Sequence, residues 1–243
     1  MPGARVILVS RAPAFSPVET ALTIGPMSEI LNRLAFHRLI PVIALDRAAD
    51  AGPLADALAA GGLPVAEVTF RTQAAESAIA EMSRRTNVLV GAGTVLDVDT
   101  VKRAVEAGAK FIVSPGFSEK VVSYCLEQKI PITPGCVTPT EIQMALEYGI
   151  NTIKFFPAEA VGGIKTLKAF AAVFGHVRFI PTGGITELNL PDYLSFAPVL
   201  ACGGSWMVSK QLLQAGDFAR ITAITAQAVA VTKRGKFDEP NIE

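Results

Sequence analysis

Thr152-Ile153-Lys154-Phe155-Phe156-Pro157-Ala158-Glu159 is an apolar run with a lysine inside it. It is short, is broken by a proline and is followed by a segment of helical spacing, residues 163–174. An apolar run bounded in this way reads as a buried strand. Side chains alternate along a strand, so Thr152, Lys154 and Phe156 share one face while Ile153 and Phe155 take the other. Lys154 then lies beside Phe156 and apolar strand walls, where loss of water disfavours a charged ammonium. A lysine held as the neutral amine attacks carbonyls to form Schiff bases. The plainer reading is a lysine at a strand end with its ammonium in water, and only its neighbours in the fold can choose between the two.

Outward from this stretch the same unit recurs. Strand candidates occupy 39–45 (LIPVIAL), 65–70 (VAEVTF), 87–92 (NVLVGA), 111–115 (FIVSP), 130–134 (IPITP), 152–157 (TIKFFP), 178–182 (RFIPT) and 198–202 (PVLAC). Amphipathic segments lie between them, at 51–61, 73–84, 97–107, 118–128, 138–149 and 163–174. Asp97, Ser118 and Thr138 stand where N-caps belong, and Thr138 with Glu141 has capping-box spacing, with Pro139 at the first helical position. Gly108 and Gly149 follow helix ends.

Strand and helix alternating every 20 residues or so mean βα units and a parallel sheet. Eight units make an α/β chain that closes as a single (β/α)8 TIM barrel, preceded by a helix over 27–38. The alternative is a doubly wound open sheet, but no G-x-G-x-x-G follows the first strand. No linker interrupts the pattern. The expected division is a lead over 1–26, one barrel over 27–232 and a polar tail over 233–243.

Half of the 243 residues are apolar and 18% are charged, which supplies a sizeable core. The 22 basic and 22 acidic side chains balance, arguing against nucleic acid or a membrane surface as the main partner. Cys125, Cys136 and Cys202 are widely spaced and form no C-x-x-C pair, so free thiols in a reducing cytoplasm are expected. With His37 and His176 as the sole histidines, a metal site or a Ser-His-Asp relay has little to draw on. Arg5 and Arg11 raise the question of a targeting peptide, but the apolar run over 6–9 is too short for a signal-peptide core. No stretch reaches the roughly 18 to 20 apolar residues of a membrane span.

Active sites of such barrels sit at the C-terminal ends of the strands, and the unusual residues collect there. Alternation in the second strand puts Glu67, Thr69 and Arg71 on one face, either as a catalytic carboxylate, hydroxyl and guanidinium or as a strand-end ion pair. The third strand ends in Gly91-Ala92-Gly93-Thr94, the fourth in Ser114-Pro115-Gly116, and the sixth carries Lys154. Pro181-Thr182-Gly183-Gly184-Ile185 follows the seventh strand and Cys202-Gly203-Gly204-Ser205-Trp206 the eighth. Paired glycines there let backbone N–H groups converge on an anion, and barrels often hold phosphate at this location. The simplest ligand is a phosphorylated small molecule whose other end reaches Lys154.

Taken together these motifs, in this order, resemble the 2-keto-3-deoxy-6-phosphogluconate (KDPG) and 4-hydroxy-2-oxoglutarate aldolases, from about residue 27 to about 232. The resemblance implies a class I aldolase: cytoplasmic, homotrimeric, without metal or cofactor, making pyruvate and glyceraldehyde 3-phosphate. Lys154 matches the Schiff-base lysine and Glu67 the proton-transfer carboxylate. Arg71 and Thr94 match positions that hold the pyruvate moiety, and Pro115 and Phe156 apolar positions around it. Gly183, Gly184 and Ser205 match the phosphate end. Thr182 matches a position where enzymes for the galactonate epimer tend to carry an apolar residue. The departures are the long lead and Phe70, where many members have Leu; Phe70 points away from the Glu67–Arg71 face. Outside the resemblance, two rivals are a phosphate-binding barrel isomerase or decarboxylase and a non-catalytic sugar-phosphate-binding regulator.

Overall fold

The computed structural model describes residues 26–234, so the lead and most of the polar tail lie outside the described residues. Helix α1 (Pro26–His37) leads into β1 (Leu39–Ile43), and the chain then alternates. It runs through α2 (Ala51–Ala60), β2 (Val65–Thr69), α3 (Ala75–Ser83), β3 (Leu89–Gly93), α4 (Val98–Glu106), β4 (Ile112–Val113) and α5 (Glu119–Glu127). It continues through β5 (Ile132–Thr133), α6 (Pro139–Glu147), β6 (Thr152–Phe155), α7 (Gly163–Val173), β7 (Arg178–Pro181) and α8 (Leu190–Leu194). β8 (Cys202–Gly204), α9 (Lys210–Ala215) and α10 (Phe218–Arg234) complete it.

The fold is α/β, with a six-stranded parallel half-barrel ordered β5-β4-β3-β2-β1-β8 and a parallel β6–β7 pair. Single bridges join the two sheets, Gly135 to Lys154 on one side and Thr182 to Gly203 on the other. At the first, Lys154 N donates to Pro134 O at 2.9 Å and Cys136 N donates to Lys154 O at 2.8 Å. β4 and β5 are only two residues long. Pro115 follows the first, and Pro131 and Pro134 bracket the second, so the ladder lacks donors where the apolar runs would extend it.

The eighth strand corrects the expectation. Its apolar run, 198–202, only skirts β7, where Phe179 N donates to Pro198 O and Leu200 N to Phe179 O. Pairing with β1 begins where Cys202 N donates to Arg38 O, so Gly203 and Gly204 lie in the strand and do not follow it. Cys202 and Gly203 thus align with Leu39 and Ile40.

Of the expected caps, the Asp97 carboxylate accepts from Thr100 N at 2.7 Å, and Thr138 and Glu141 form the capping box. Ser118 makes no cap hydrogen bond. α10, which is not among the expected segments, packs on α2: Thr222 Oγ1 donates to Ala57 O at 3.2 Å. Burial divides by chemistry. The helix–sheet layer is largely aliphatic (Leu54, Leu58, Ile79, Val101, Val121, Ile142), whereas most buried polar residues, Glu67, Thr69, Ser114, Thr133, Thr152, Lys154 and Thr182, lie on strands or just beyond their ends. Thr225 and Thr232 of α10 are the others among the described residues.

Candidate active site

β6 places Lys154 next to a residue that local sequence could not reveal as its partner. Lys154 Nζ donates to Glu67 Oε1 at 3.2 Å, with the two side chains 7% and 3% exposed. β1 and β3 flank β2 and hold Glu67 level with Val42 and Gly91. Gly93 leaves room for its carboxyl: a Cβ there would collide with Glu67 Oε1 and stand 2.9 Å from Cδ. The Lys154 amine also lies 5.1 Å from the centroid of the Phe156 ring. Removed from water, opposite charges in contact stabilise each other more than they would at the surface.

Arg71 does not pair with Glu67, so the strand-end ion pair is not what forms. Arg71 Nε donates to Thr69 Oγ1 at 2.9 Å, and Thr69 Oγ1 donates to Ile43 O at 2.7 Å. That relay props the guanidinium at the strand ends. Among the described residues Arg71 makes no ion pair, which leaves its charge for an anion.

Arg71, Phe156, Thr182, Gly183, Gly184 and Ser205 line one cavity at the C-terminal ends of the strands. Gly183 and Gly184 have φ of 95° and 80°, in the left-handed region that side chains rarely adopt. Among the described residues their amides donate to no protein acceptor. Thr182 is buried at the bridge to Gly203, where any Cβ would collide with Thr182 Oγ1.

Four expected residues are not in that cavity's wall: the Glu67–Lys154 pair, Thr94 and Pro115. Thr94, half-buried at the end of β3, has φ 57°, a sterically costly conformation for a β-branched residue. Pro115 follows β4, and its carbonyl abuts Gly135, the residue bridged to Lys154. Sequence reasoning missed Val42, which lines the cavity from β1; position alternating with Ile43 was the available signal. It also missed the space-making roles of Gly93 and Gly135, for which a glycine within or just beyond a buried strand was the signal.

A buried amine touching a carboxylate, beside a cavity with an unpaired guanidinium and a glycine turn of free amides, defines an enzyme that activates the carbonyl of an anionic substrate. The family model for KDPG and KHG aldolase matches residues 30–224. The chain is 50% identical over 206 residues to the 2-dehydro-3-deoxy-phosphogluconate aldolase of Treponema pallidum, covering 84% of this chain and 98% of that protein. The solved KDPG aldolase of Zymomonas mobilis, with 3-phosphoglycerate, superposes with a TM-score of 0.80 at 42% identity, over 84% of this chain and 97% of that one. The KDPG aldolase of Legionella pneumophila, with pyruvate captured at low pH as a covalent carbinolamine intermediate, gives 0.79 at 39% identity, over 82% and 97%. The chain belongs to the KDPG and KHG aldolase family.

Proposed function

We propose that this protein cleaves 2-keto-3-deoxy-6-phosphogluconate reversibly to pyruvate and glyceraldehyde 3-phosphate through a Schiff base on Lys154, and also acts on 4-hydroxy-2-oxoglutarate. The carrying observation is the buried contact between Lys154 Nζ in β6 and Glu67 Oε1 in β2. The neutral Lys154 amine adds to the C2 ketone, and loss of water from the carbinolamine leaves an iminium. Glu67, directly or through a water, takes the C4 hydroxyl proton. The C3–C4 pair flows into the iminium, giving an enamine and the free aldehyde. Glu67 then helps return a proton to C3, and hydrolysis releases pyruvate and the lysine. The iminium is the electron sink, so the chemistry needs no metal or cofactor.

Arg71 takes the substrate carboxylate bidentately, with Thr94 beside it and Pro115 and Phe156 as apolar walls. The Gly183 and Gly184 amides and Ser205 take the phosphate at the other end, and Thr182 lies between. Anchoring both ends fixes which carbonyl meets the amine. The eight strands are read as a closed (β/α)8 barrel, supported by the bridges that join β6 and β7 to their neighbours. The barrel forms one domain over 27–232. Assembly is as a homotrimer, for which exposed Phe36, Val173 and Leu188 offer apolar surface. The cytoplasm and the Entner–Doudoroff breakdown of phosphogluconate are the setting. Among the described residues no helix is long and apolar enough to cross a membrane.

Borohydride reduction in the presence of pyruvate tests the reading. The protein should gain one reduced pyruvyl adduct on Lys154, seen by peptide mass spectrometry. Lys154→Ala and Lys154→Arg should show none and no cleavage, since a guanidinium stays protonated and cannot attack. Cleavage activity in either variant would sink the assignment.

A further inference from the structure

Glu159 is the last residue of the Thr152–Glu159 run, and the catalytic chemistry leaves it without a task. Its surroundings are built around it. Glu159 N donates to Gly183 O at 3.1 Å, and the preceding Ala158 N donates to Thr182 O at 2.8 Å, so the backbone after β6 holds the backbone after β7. The side chain lies where Gly184 has none: a Cβ on Gly184 would stand 2.6 Å from Glu159 Cβ and Cγ. Its Oε1 accepts a hydrogen bond from the hydroxyl of Tyr193, on α8, the helix that follows the Gly183-Gly184 turn. Gly163 makes that contact possible, since a Cβ there would lie 2.9 Å from Glu159 Oε1 and 3.0 Å from Tyr193 Oη. The Tyr193 residue is 1% exposed. Burial, and then the Glu159 bond, push its phenol well above the ordinary range, so it remains a donor. Asn189 Nδ2, donating to Gly184 O at 3.0 Å, ties the turn from the same side.

We propose that Glu159 and Tyr193 are positioning residues that set the Gly183-Gly184 turn, and with it the phosphate, at a fixed distance from Lys154. This rests on the aldolase reading of the site. Lys154 and Glu159 are five residues apart on one continuous segment, so a turn clamped to Glu159 is held in register with the nucleophile. Without the clamp the turn still exists, but its amides no longer converge where a six-carbon substrate places its phosphate. A substrate lacking phosphate does not notice.

Three variants test this: Tyr193→Phe, which keeps the packed ring, Glu159→Ala, which removes the acceptor, and Glu159→Gln, which keeps one. Steady-state kinetics on KDPG and on 4-hydroxy-2-oxoglutarate are compared for each. A hydrogen bond to a charged group typically corresponds to about tenfold or more in an equilibrium. Tyr193→Phe and Glu159→Ala should therefore raise KM for KDPG about tenfold, with kcat/KM for 4-hydroxy-2-oxoglutarate within about twofold of wild type. Glu159→Gln should recover most of the loss. The ratio of the two specificity constants cancels any difference in folded fraction, so a destabilised variant still reports. Equal losses on both substrates, no loss on either, or a Gln variant as impaired as the Ala variant would each overturn the proposal. Failure of wild-type protein to be trapped by borohydride with pyruvate would instead overturn the aldolase reading beneath it.

Discussion

Gly93 faces the carboxyl of Glu67 across neighbouring strands so closely that a single methyl group would take the place of the carboxylate oxygen. The contact ties a backbone requirement in β3 to the proton chemistry assigned to β2. Gly93→Ala should therefore displace Glu67 and lose cleavage activity by about 10² or more, close to the value of a general acid–base. Overpacking at such a site also costs about 1–3 kcal/mol, visible as a lower thermal midpoint. Borohydride trapping of pyruvate should still go to completion. Wild-type cleavage rates in this variant would mean that Glu67 needs no fixed place.

Glu67→Gln separates the carboxylate from the amine it touches. Size and some hydrogen bonding survive, but the group no longer accepts a proton. Schiff-base formation should slow yet finish, whereas exchange of pyruvate methyl protons with deuterated water and aldol cleavage should both fall by about 10² to 10⁴. Methyl exchange at nearly the wild-type rate would remove Glu67 from the role of shuttle.

The three cysteines should be silent in the folded protein. Burial pushes the Cys125 thiol up to about 12, burial with the nearby Glu141 does the same for Cys136, and burial raises Cys202 further. Thiolate is the reactive form, so Ellman's reagent at about pH 8 should titrate none in native protein and all after denaturation. Prompt native reaction of any one would contradict the packing described for it.

Asp97 carries a test of helix capping. Its backbone hydrogen bond from Thr100, with a smaller side-chain contribution from the same residue, holds the carboxyl below its ordinary 3.8. A depressed folded value means that the stabilisation is present above the unfolded value of about 4 and is lost as pH falls through the folded one. Asp97→Ala should cost about 1 kcal/mol at neutral pH. Chemical denaturation repeated towards about pH 3 should show the gap closing. A gap independent of pH would assign the cost to helix propensity instead.

Legibility from sequence was uneven, for physical reasons. β1, β2, β3, β6 and β7 stand close to where their apolar runs place them, because buried parallel strands need such runs. β8 starts late, since apolar character marks burial, whereas the ladder to β1 depends on backbone register that no single segment encodes. α10 (Phe218–Arg234) follows the last expected strand, where no further strand–helix alternation guides the reading. In the site, Lys154 and Glu67 were each legible, but their contact spans 87 positions and needs both strands in place. Alternation alone put Glu67 and Arg71 on one face and left open whether they pair. The fold gives the carboxylate to the lysine and leaves the guanidinium to Thr69.

The left-handed backbone of Thr94 has a bearing on protein engineering. Glycine would relax that conformation, a gain on the order of 1 kcal/mol, and asparagine part of it. A library sorted purely for heat resistance would therefore enrich both at position 94, erasing the threonine hydroxyl from the end of β3. If that hydroxyl serves pyruvate as assigned, the most thermotolerant clones would be among the poorer catalysts. Consensus-free stabilisation of this enzyme should leave position 94 untouched and seek its degrees elsewhere.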